Sequence, residues 1–435
     1  MNITEFKRRR KQLMRMMGKN SIAILPAASE SIRNRDVQYR YRPDSNFFYL
    51  TGFAEPDAVV VIIPGRKQAE YILFCRPLDK TKVMWDGAMA GQEGAVEQYG
   101  ADDSFPISDL DEILPRMLEE KSRVFYAMGC NQELDKSLSE WINSIKGQAR
   151  SGVQSPLEII ELDYYLHDMR LYKSRYEISV MRKAANISAE AHKAVMKSSR
   201  PNIMEYQIES TFLHSCAMKG VREQAYPSIV GGGNNACVLH YIDNEDALND
   251  GDLLLIDAGC ENEYYASDIT RTFPVNGKFS PAQAELYQIV LDAQAAAIDK
   301  VKPGNHWNEP HEAAVKVIAK GLIKLGILKG TLANAIKKET YKKFYMHRTG
   351  HWLGMDVHDV GDYKVDGQWR QLEVGMALTV EPGIYIPKGS RGVAKKYQGI
   401  GIRIEDDLVV TKEGNDVLSK KAPKTISDIE LLMAG

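Results

Sequence analysis

Three apolar runs in this chain end on an acid. Leu253-Leu254-Leu255-Ile256 runs into Asp257, Ala377-Leu378-Thr379-Val380 runs into Glu381, and the alternating isoleucines of Gly399-Ile400-Gly401-Ile402-Arg403-Ile404 run into Glu405. A fourth acid, Asp268, lies 11 residues after Asp257 in Ala266-Ser267-Asp268-Ile269-Thr270, across a turn-rich stretch from Gly259 to Glu263. A hairpin there would bring Asp257 and Asp268 together, where like charges repel unless a cation or a proton intervenes. Taken alone, the pair also fits one turn carboxylate and one capping carboxylate. Strand periodicity puts Arg403 and Glu405 on one face, and an ordinary ion pair would account for those two alone.

Histidines add a second constraint. His347, His351 and His358 fall within one short segment, Met346-His347-Arg348-Thr349-Gly350-His351-Trp352-Leu353-Gly354-Met355-Asp356-Val357-His358-Asp359. Its glycines argue against a continuous helix, so this is not a helical zinc-binding pair, and the spacing alone does not fix a ligand set. Charge arithmetic sets the number of ions: Asp257, Asp268, Glu381 and Glu405 carry too much charge for one divalent ion but balance two, with a neutral imidazole beside them. Such an oxygen-rich set suits divalent Mn, Co, Zn or Fe, and the carboxylate excess favours Mn. Two ions about 3.5 to 4 Å apart can lower the pKa of a shared water and polarise a carbonyl, so hydrolysis is the natural reaction.

The chain has 435 residues, 44% hydrophobic and 26% charged, with formal net charge -2. That length predicts two domains, and that balance offers nothing to attract nucleic acid or anionic lipid. No run of about 18 uninterrupted apolar residues predicts a membrane span. The basic stretch from Lys7 to Lys11, with Arg15, lacks the apolar core of a signal peptide and predicts a surface-exposed first helix. Five widely spaced cysteines without a C-x-x-C pair fit reduced, cytoplasmic thiols.

Organisation follows from local patterns. Ser21 to Leu25, Ala58 to Ile63 and Tyr71 to Cys75 predict strands alternating with helices, hence an α/β domain over residues 1–155. Small and polar residues from Ser151 to Pro156 predict a linker, and residues 156–435 a second domain. Within it, Leu166 to Met196 predicts one long helix with no Pro or Gly, and Ser280-Pro281 a capped helix running to Lys300.

At these residues the chain resembles Xaa-Pro aminopeptidase, also called aminopeptidase P, of the pita-bread metallopeptidases. Ile256-Asp257-Ala258-Gly259-Cys260, Ser267-Asp268-Ile269-Thr270-Arg271-Thr272-Phe273, His351-Trp352-Leu353-Gly354, Val357-His358-Asp359-Val360-Gly361, Val380-Glu381-Pro382-Gly383 and Gly401-Ile402-Arg403-Ile404-Glu405-Asp406 carry the likeness from about residue 166 to 412. Tyr39 to Phe53 resembles the same family's N-terminal domain, so the likeness covers nearly the whole chain. The resemblance implies an α/β N-terminal domain and an α+β pita-bread catalytic domain. It implies a paired manganese site in which Asp268 and Glu405 bridge, Asp257 completes one ion, and His351 with Glu381 completes the other. Glu381 would also take the proton of the attacking water, His240, His358 and His347 would line the substrate pocket, and Arg403 would orient the peptide. Tyr226, Tyr385, Arg170 and Asp36 match accessory positions, and Trp85 matches a tryptophan that reaches a neighbouring subunit in tetrameric members. The implied substrates are peptides with proline second, and the implied assembly is a homodimer or homotetramer.

Two wordings depart from the family. Arg200-Pro201-Asn202 replaces Arg-Pro-Gly, and Arg348-Thr349-Gly350 replaces the commonest bacterial Gly-Leu-Ser. The nearest rival reading is prolidase, which cleaves only dipeptides ending in proline with the same ligands, and a further one is a non-enzymatic binding module of the same fold.

Overall fold

Burial on both faces makes Ser21–Pro26, Val59–Ile62 and Tyr71–Cys75 the centre of a six-stranded sheet in the computed structural model, which describes residues 3–435. The strand order is Asp103–Pro106, Tyr71–Cys75, Val59–Ile62, Ser21–Pro26, Arg123–Phe125, Glu158–Ile160. Val59–Ile62 runs antiparallel to both neighbours, whereas the outer pairings are parallel. Ile22, Ile24, Val61, Ile72 and Phe74 pack against Leu114, Leu118, Leu134 and Leu138 of the helices Leu110–Leu118 and Gln132–Gly147.

The first helix, Ile3–Met17, departs from the exposed helix expected of its basic sequence. Arg9 and Arg10 are buried, donating to Tyr49 O at 3.1 Å and Leu50 O at 2.7 Å, and their guanidinium carbons lie 4.0 Å and 3.8 Å from the ring centres of Tyr49 and Tyr71. Both carbonyls belong to the last turn of Ser45–Thr51, where cations are favoured, and the rings cover the guanidinium faces.

Two compact units divide between Met169 and Arg170. The boundary lies later than 155 because Glu158–Ile160 pairs with Arg123–Phe125 and so belongs to the first unit's sheet. The helix expected over Leu166 to Met196 is two helices, Leu162–Leu171 and Arg175–Ser198. The Ser174 side chain accepts from Glu177 N, and Glu177 Oε2 accepts from Ser174 N at 2.9 Å, a capping box that starts a new helix.

In the second unit Leu253–Asp257 lies between Thr270–Pro274 and Ile229–Gly232, antiparallel to both. Asp406–Thr411 lies between Ala377–Val380 and Gly414–Val417, and Gly383–Ile386 pairs with Ile400–Arg403. The helices Arg175–Ser198, Glu205–Ala217, Pro281–Ile298 and Glu309–Lys324 contribute Ala184, Ile208, Leu286 and Ile318 to one core with Leu254, Ile256, Ile402 and Leu408 of the strands. Ser280 caps Pro281–Ile298 as its sequence predicts, and Asn202 holds a positive φ of 68°, the conformation for which asparagine replaces glycine best.

Candidate metal centre and active site

Asp257 ends its strand opposite Thr270, and the loop that leads on to Asp268 is clamped at its neck. A Cβ on Gly259 would stand 1.7 Å from Ser267 O, so only glycine lets the two arms approach. Ser267 Oγ sits 2.7 Å from Ser188 Oγ and donates to Cys260 O at 3.1 Å. Asp268 N donates to both oxygens of buried Asp407, at 3.1 and 3.2 Å. The Tyr226 hydroxyl lies 2.6 Å from Asp257 Oδ1 and 2.5 Å from Asp268 Oδ1, sharing one proton between them.

Glu381 directly follows Ala377–Val380, its N–H donating to Thr349 O at 2.8 Å. Glu405 stands between the strands Ile400–Arg403 and Asp406–Thr411 rather than on one, so it shares no strand face with Arg403. Its N–H donates to Thr270 O at 3.1 Å and its Oε2 accepts from Thr270 Oγ1 at 2.7 Å. His351 exchanges backbone and side-chain bonds with Thr379, two residues before Glu381. Its Nδ1 lies 2.9 Å from Trp352 O and therefore carries a proton toward that carbonyl, which turns Nε2 to Asp268 Oδ2 at 3.3 Å and Glu381 Oε1 at 4.0 Å.

Asp268, His351 and Glu405 each offer a ligand atom, all within 4.8 Å of one another. Asp257 joins this group through Tyr226, and Glu381 joins it through His351. Burial first, then repulsion from neighbouring acids, holds Asp257 and Glu405 above the ordinary carboxylate range and lifts Glu381 to about 7. Asp268 is held low because His351 outweighs its burial. Burial opposes charge on His351 too, but Asp268 and Glu381 prevail and push it up to about 9. Four carboxylates crowded on one imidazole, three of them buried, call for more positive charge than the chain supplies, so the donor set fits divalent cations.

Arg403 supplies part of that charge. Its Nη2 donates to Asp257 Oδ2 at 2.7 Å, its Nε to Thr270 Oγ1 at 3.2 Å and its Nη1 to the Tyr385 hydroxyl at 3.0 Å. Tyr385 in turn meets His347 Nε2 at 2.8 Å, while His347 Nδ1 faces Arg348 O at 2.7 Å. Burial, then Arg403, holds His347 down at about 3, so its imidazole is neutral. The His358 ring lies 4.4 Å from that of His351, edge to face.

The acids Asp257, Asp268, Glu381 and Glu405, with Tyr226, His347, His351, His358 and Arg403, line one cavity of ≈ 1000 Å³, together with His240, Ile229, Leu239, Trp307, Tyr363 and Trp369. Tyr385 is fully buried behind it. Arg170 is buried as well, away from the cavity lining, with Nη2 on Asp356 Oδ2 at 2.7 Å and on Asp359 Oδ1 at 2.6 Å. Asp36 is exposed in the turn between Ile32–Asn34 and Val37–Gln38 of the first unit, and Trp85 is 84% exposed on the helix Lys80–Asp86. The aromatic wall escaped the sequence reading. Trp307, Trp352 and Tyr363 meet with ring centres 4.1 and 4.7 Å from Trp307, yet they stand in irregular segments where no periodicity signals a shared face.

Residues 179–412 match the description Metallopeptidase family M24, and residues 6–126 match Aminopeptidase P, N-terminal domain. The chain belongs to metallopeptidase family M24. Within M24 it is 43% identical to the Xaa-Pro aminopeptidase of Haemophilus influenzae, over 99% of this chain and 97% of that one. Among solved structures it resembles Pseudomonas aeruginosa aminopeptidase PepP at 57% identity and a TM-score of 0.98, covering 100% of this chain and 98% of that one. It also resembles zinc-substituted Escherichia coli aminopeptidase P in complex with product, at 42% identity and a TM-score of 0.96, with the same coverage. The M24 chain thus pairs an α/β N-terminal domain with an α+β pita-bread catalytic domain, as its motifs imply, and it is a metallopeptidase.

Proposed function

We infer that this chain is a dinuclear metal-dependent aminopeptidase that hydrolyses the bond between an N-terminal residue and a following proline. The observation that carries the reading is that Asp257, Asp268, His351, Glu381 and Glu405 face the same cavity as His240, His347, His358 and Arg403. Those five residues would hold two divalent cations, which supply Lewis acidity that lowers the pKa of a water and polarises the scissile carbonyl. The excess of carboxylates favours manganese.

The rest of the chemistry belongs to side chains. Glu381 takes the proton of the attacking water. His240 and His358 offer imidazole N–H groups to the carbonyl oxygen as charge develops on it. Arg403 holds Asp257 in place and, through Tyr385, orients the neutral His347. An Xaa-Pro bond has no amide N–H, so selection falls to shape, for which Ile229, Trp307 and Tyr363 supply an apolar wall. The cavity's size suits a peptide longer than a dipeptide, which favours the aminopeptidase over prolidase.

A cytoplasmic location fits five cysteines that are all unpaired, and a homodimer or homotetramer fits the family likeness. No helix among the described residues is long and apolar enough to cross a membrane. The test is purified protein with manganese, offered Xaa-Pro-Yaa, Xaa-Ala-Yaa and Xaa-Pro peptides. Release of the first residue from Xaa-Pro-Yaa, much faster than from Xaa-Ala-Yaa, is expected. Cleavage of Xaa-Pro dipeptides alone would make the chain a prolidase, and no cleavage by metal-loaded protein would make it a binding module.

A further inference from the structure

Two cations on the cavity lining take no part in the chemistry above. Arg348 and Lys364 are exposed at its edge and converge on one indole: the Arg348 guanidinium carbon lies 5.0 Å, and Lys364 Nζ 4.5 Å, from the Trp369 ring centre. Lys364 and Trp369 are directly opposed partners in the hairpin formed by Lys364–Val365 and Gln368–Trp369. Arg348 arrives from the segment that carries His347 and His351, with Nη2 fixed on Asn308 Oδ1. Among the described residues neither cation is in an ion pair; the nearby acids Asp362 and Asp366 stand outside the cavity lining, and Glu312 accepts from Asn308 instead.

The cavity is therefore acidic at its base and basic at one edge. A peptide bound for attack on its first amide carries its N-terminal ammonium toward the carboxylates. The residues after proline then lead away from them, and any negative charge on those residues is drawn to Arg348 and Lys364. The indole face holds both cations in position, and a guanidinium so held can meet a carboxylate with two parallel bonds.

Resting on the aminopeptidase reading, we propose that Arg348, Lys364 and Trp369 form a subsite for a carboxylate downstream of the proline, either the C-terminus of a short peptide or an acidic side chain. The test compares kcat/KM for Xaa-Pro-Leu with Xaa-Pro-Leu-amide, and for Xaa-Pro-Glu-amide with Xaa-Pro-Gln-amide. It uses wild type, Arg348→Met, Lys364→Met and the double variant, each checked by thermal melting. Wild type should favour the charged member of at least one pair by about three- to tenfold, through KM, with the ratio falling as salt rises. In the double variant the ratio should fall to near one, and Lys364→Glu should turn the preference toward Xaa-Pro-Lys-amide. Preference in the first pair alone identifies the chain terminus as the ligand, and in the second pair alone the acidic side chain. A wild-type ratio of one in both pairs, or a ratio unchanged in the folded double variant, overturns the subsite. Cleavage of the neutral amides by wild type reports separately on the aminopeptidase reading.

Discussion

Arg403 Nη2 donates to Asp257 Oδ2 across 2.7 Å at a point where both side chains are nearly sealed from solvent. Removing the guanidinium leaves a buried carboxylate without its cation, which typically costs about 3–5 kcal/mol. Arg403→Met should therefore lower the melting temperature of metal-free protein strongly, and added manganese should recover part of the loss by supplying positive charge beside Asp257. Equal losses with and without manganese would show that Asp257 lies outside the metal set.

Donor and non-donor histidines should separate cleanly. His351→Ala should lose bound metal, because its Nε2 faces Asp268 and Glu381. His240→Ala and His358→Ala should retain metal while kcat falls about a hundred- to a thousandfold, the usual cost of one lost oxyanion donor. Elemental analysis, melting and kinetics on the same preparations decide it. Folded, metal-replete variants with wild-type kcat would remove both histidines from the mechanism.

Glu405→Ala deletes one of the three residues whose ligand atoms lie within 4.8 Å of one another. Metal content should drop below that of wild type and activity should vanish, as it should for wild type stripped by a chelator and return when manganese is restored. Full activity in a chelated sample shown to be metal-free would end the two-metal reading.

Asp359 accepts from Arg170 at 2.6 Å and from Lys173 at 2.8 Å, with every member of the trio buried. Its N–H also donates to Trp352 O at 2.9 Å, closing the loop between His351 and His358. Asp359→Leu leaves buried Lys173 without its carboxylate while Arg170 keeps Asp356, and a loss of about 3–5 kcal/mol in denaturant unfolding is expected. Wild-type stability in this variant would mean that Lys173 finds another partner.

Buried His192 makes stability depend on pH. Burial, then Arg271, depresses its pKa from 6.5 to about 3, and its Nε2 lies 3.0 Å from Ala258 O. The unfolded chain thus takes up this proton first, so the contribution is complete above pH 6.5 and is lost as pH falls toward 3, at about 1.4 kcal/mol per pH unit. His192→Gln should flatten the fall in unfolding free energy between pH 6 and 4 by about one proton. An unchanged slope would show that His192 does not titrate on unfolding in that range.

The strand ends were legible because an acid closing an apolar run contradicts burial unless something pairs with it. Asp257 and Glu381 sit at such ends, and Asp268 returns beside Asp257 through the turn its sequence announces. Other features are tertiary. Nothing local marks Asp407 as the acceptor behind Asp268, or Tyr385 as a link between Arg403 and His347. The break at Ser174 was written in Ser174-Arg175-Tyr176-Glu177, but apolar periodicity on both sides masked it. Buried Arg9 and Arg10 escaped because a basic stretch ordinarily means solvent, and only the fold brings it carbonyls and rings.

The acids of the cluster arrive in a fixed order along the chain, Asp257 and Asp268 on one side of the helices Pro281–Ile298 and Glu309–Lys324, Glu381 and Glu405 on the other. Domains fold as units during synthesis, N-terminal ones first. The six-stranded sheet of the first unit can close while the ribosome is still reading the second, but the cavity's charge cannot assemble until Glu405 has emerged. A cation held by Glu405 together with Asp257 or Asp268 would therefore bind a finished catalytic domain rather than a growing one.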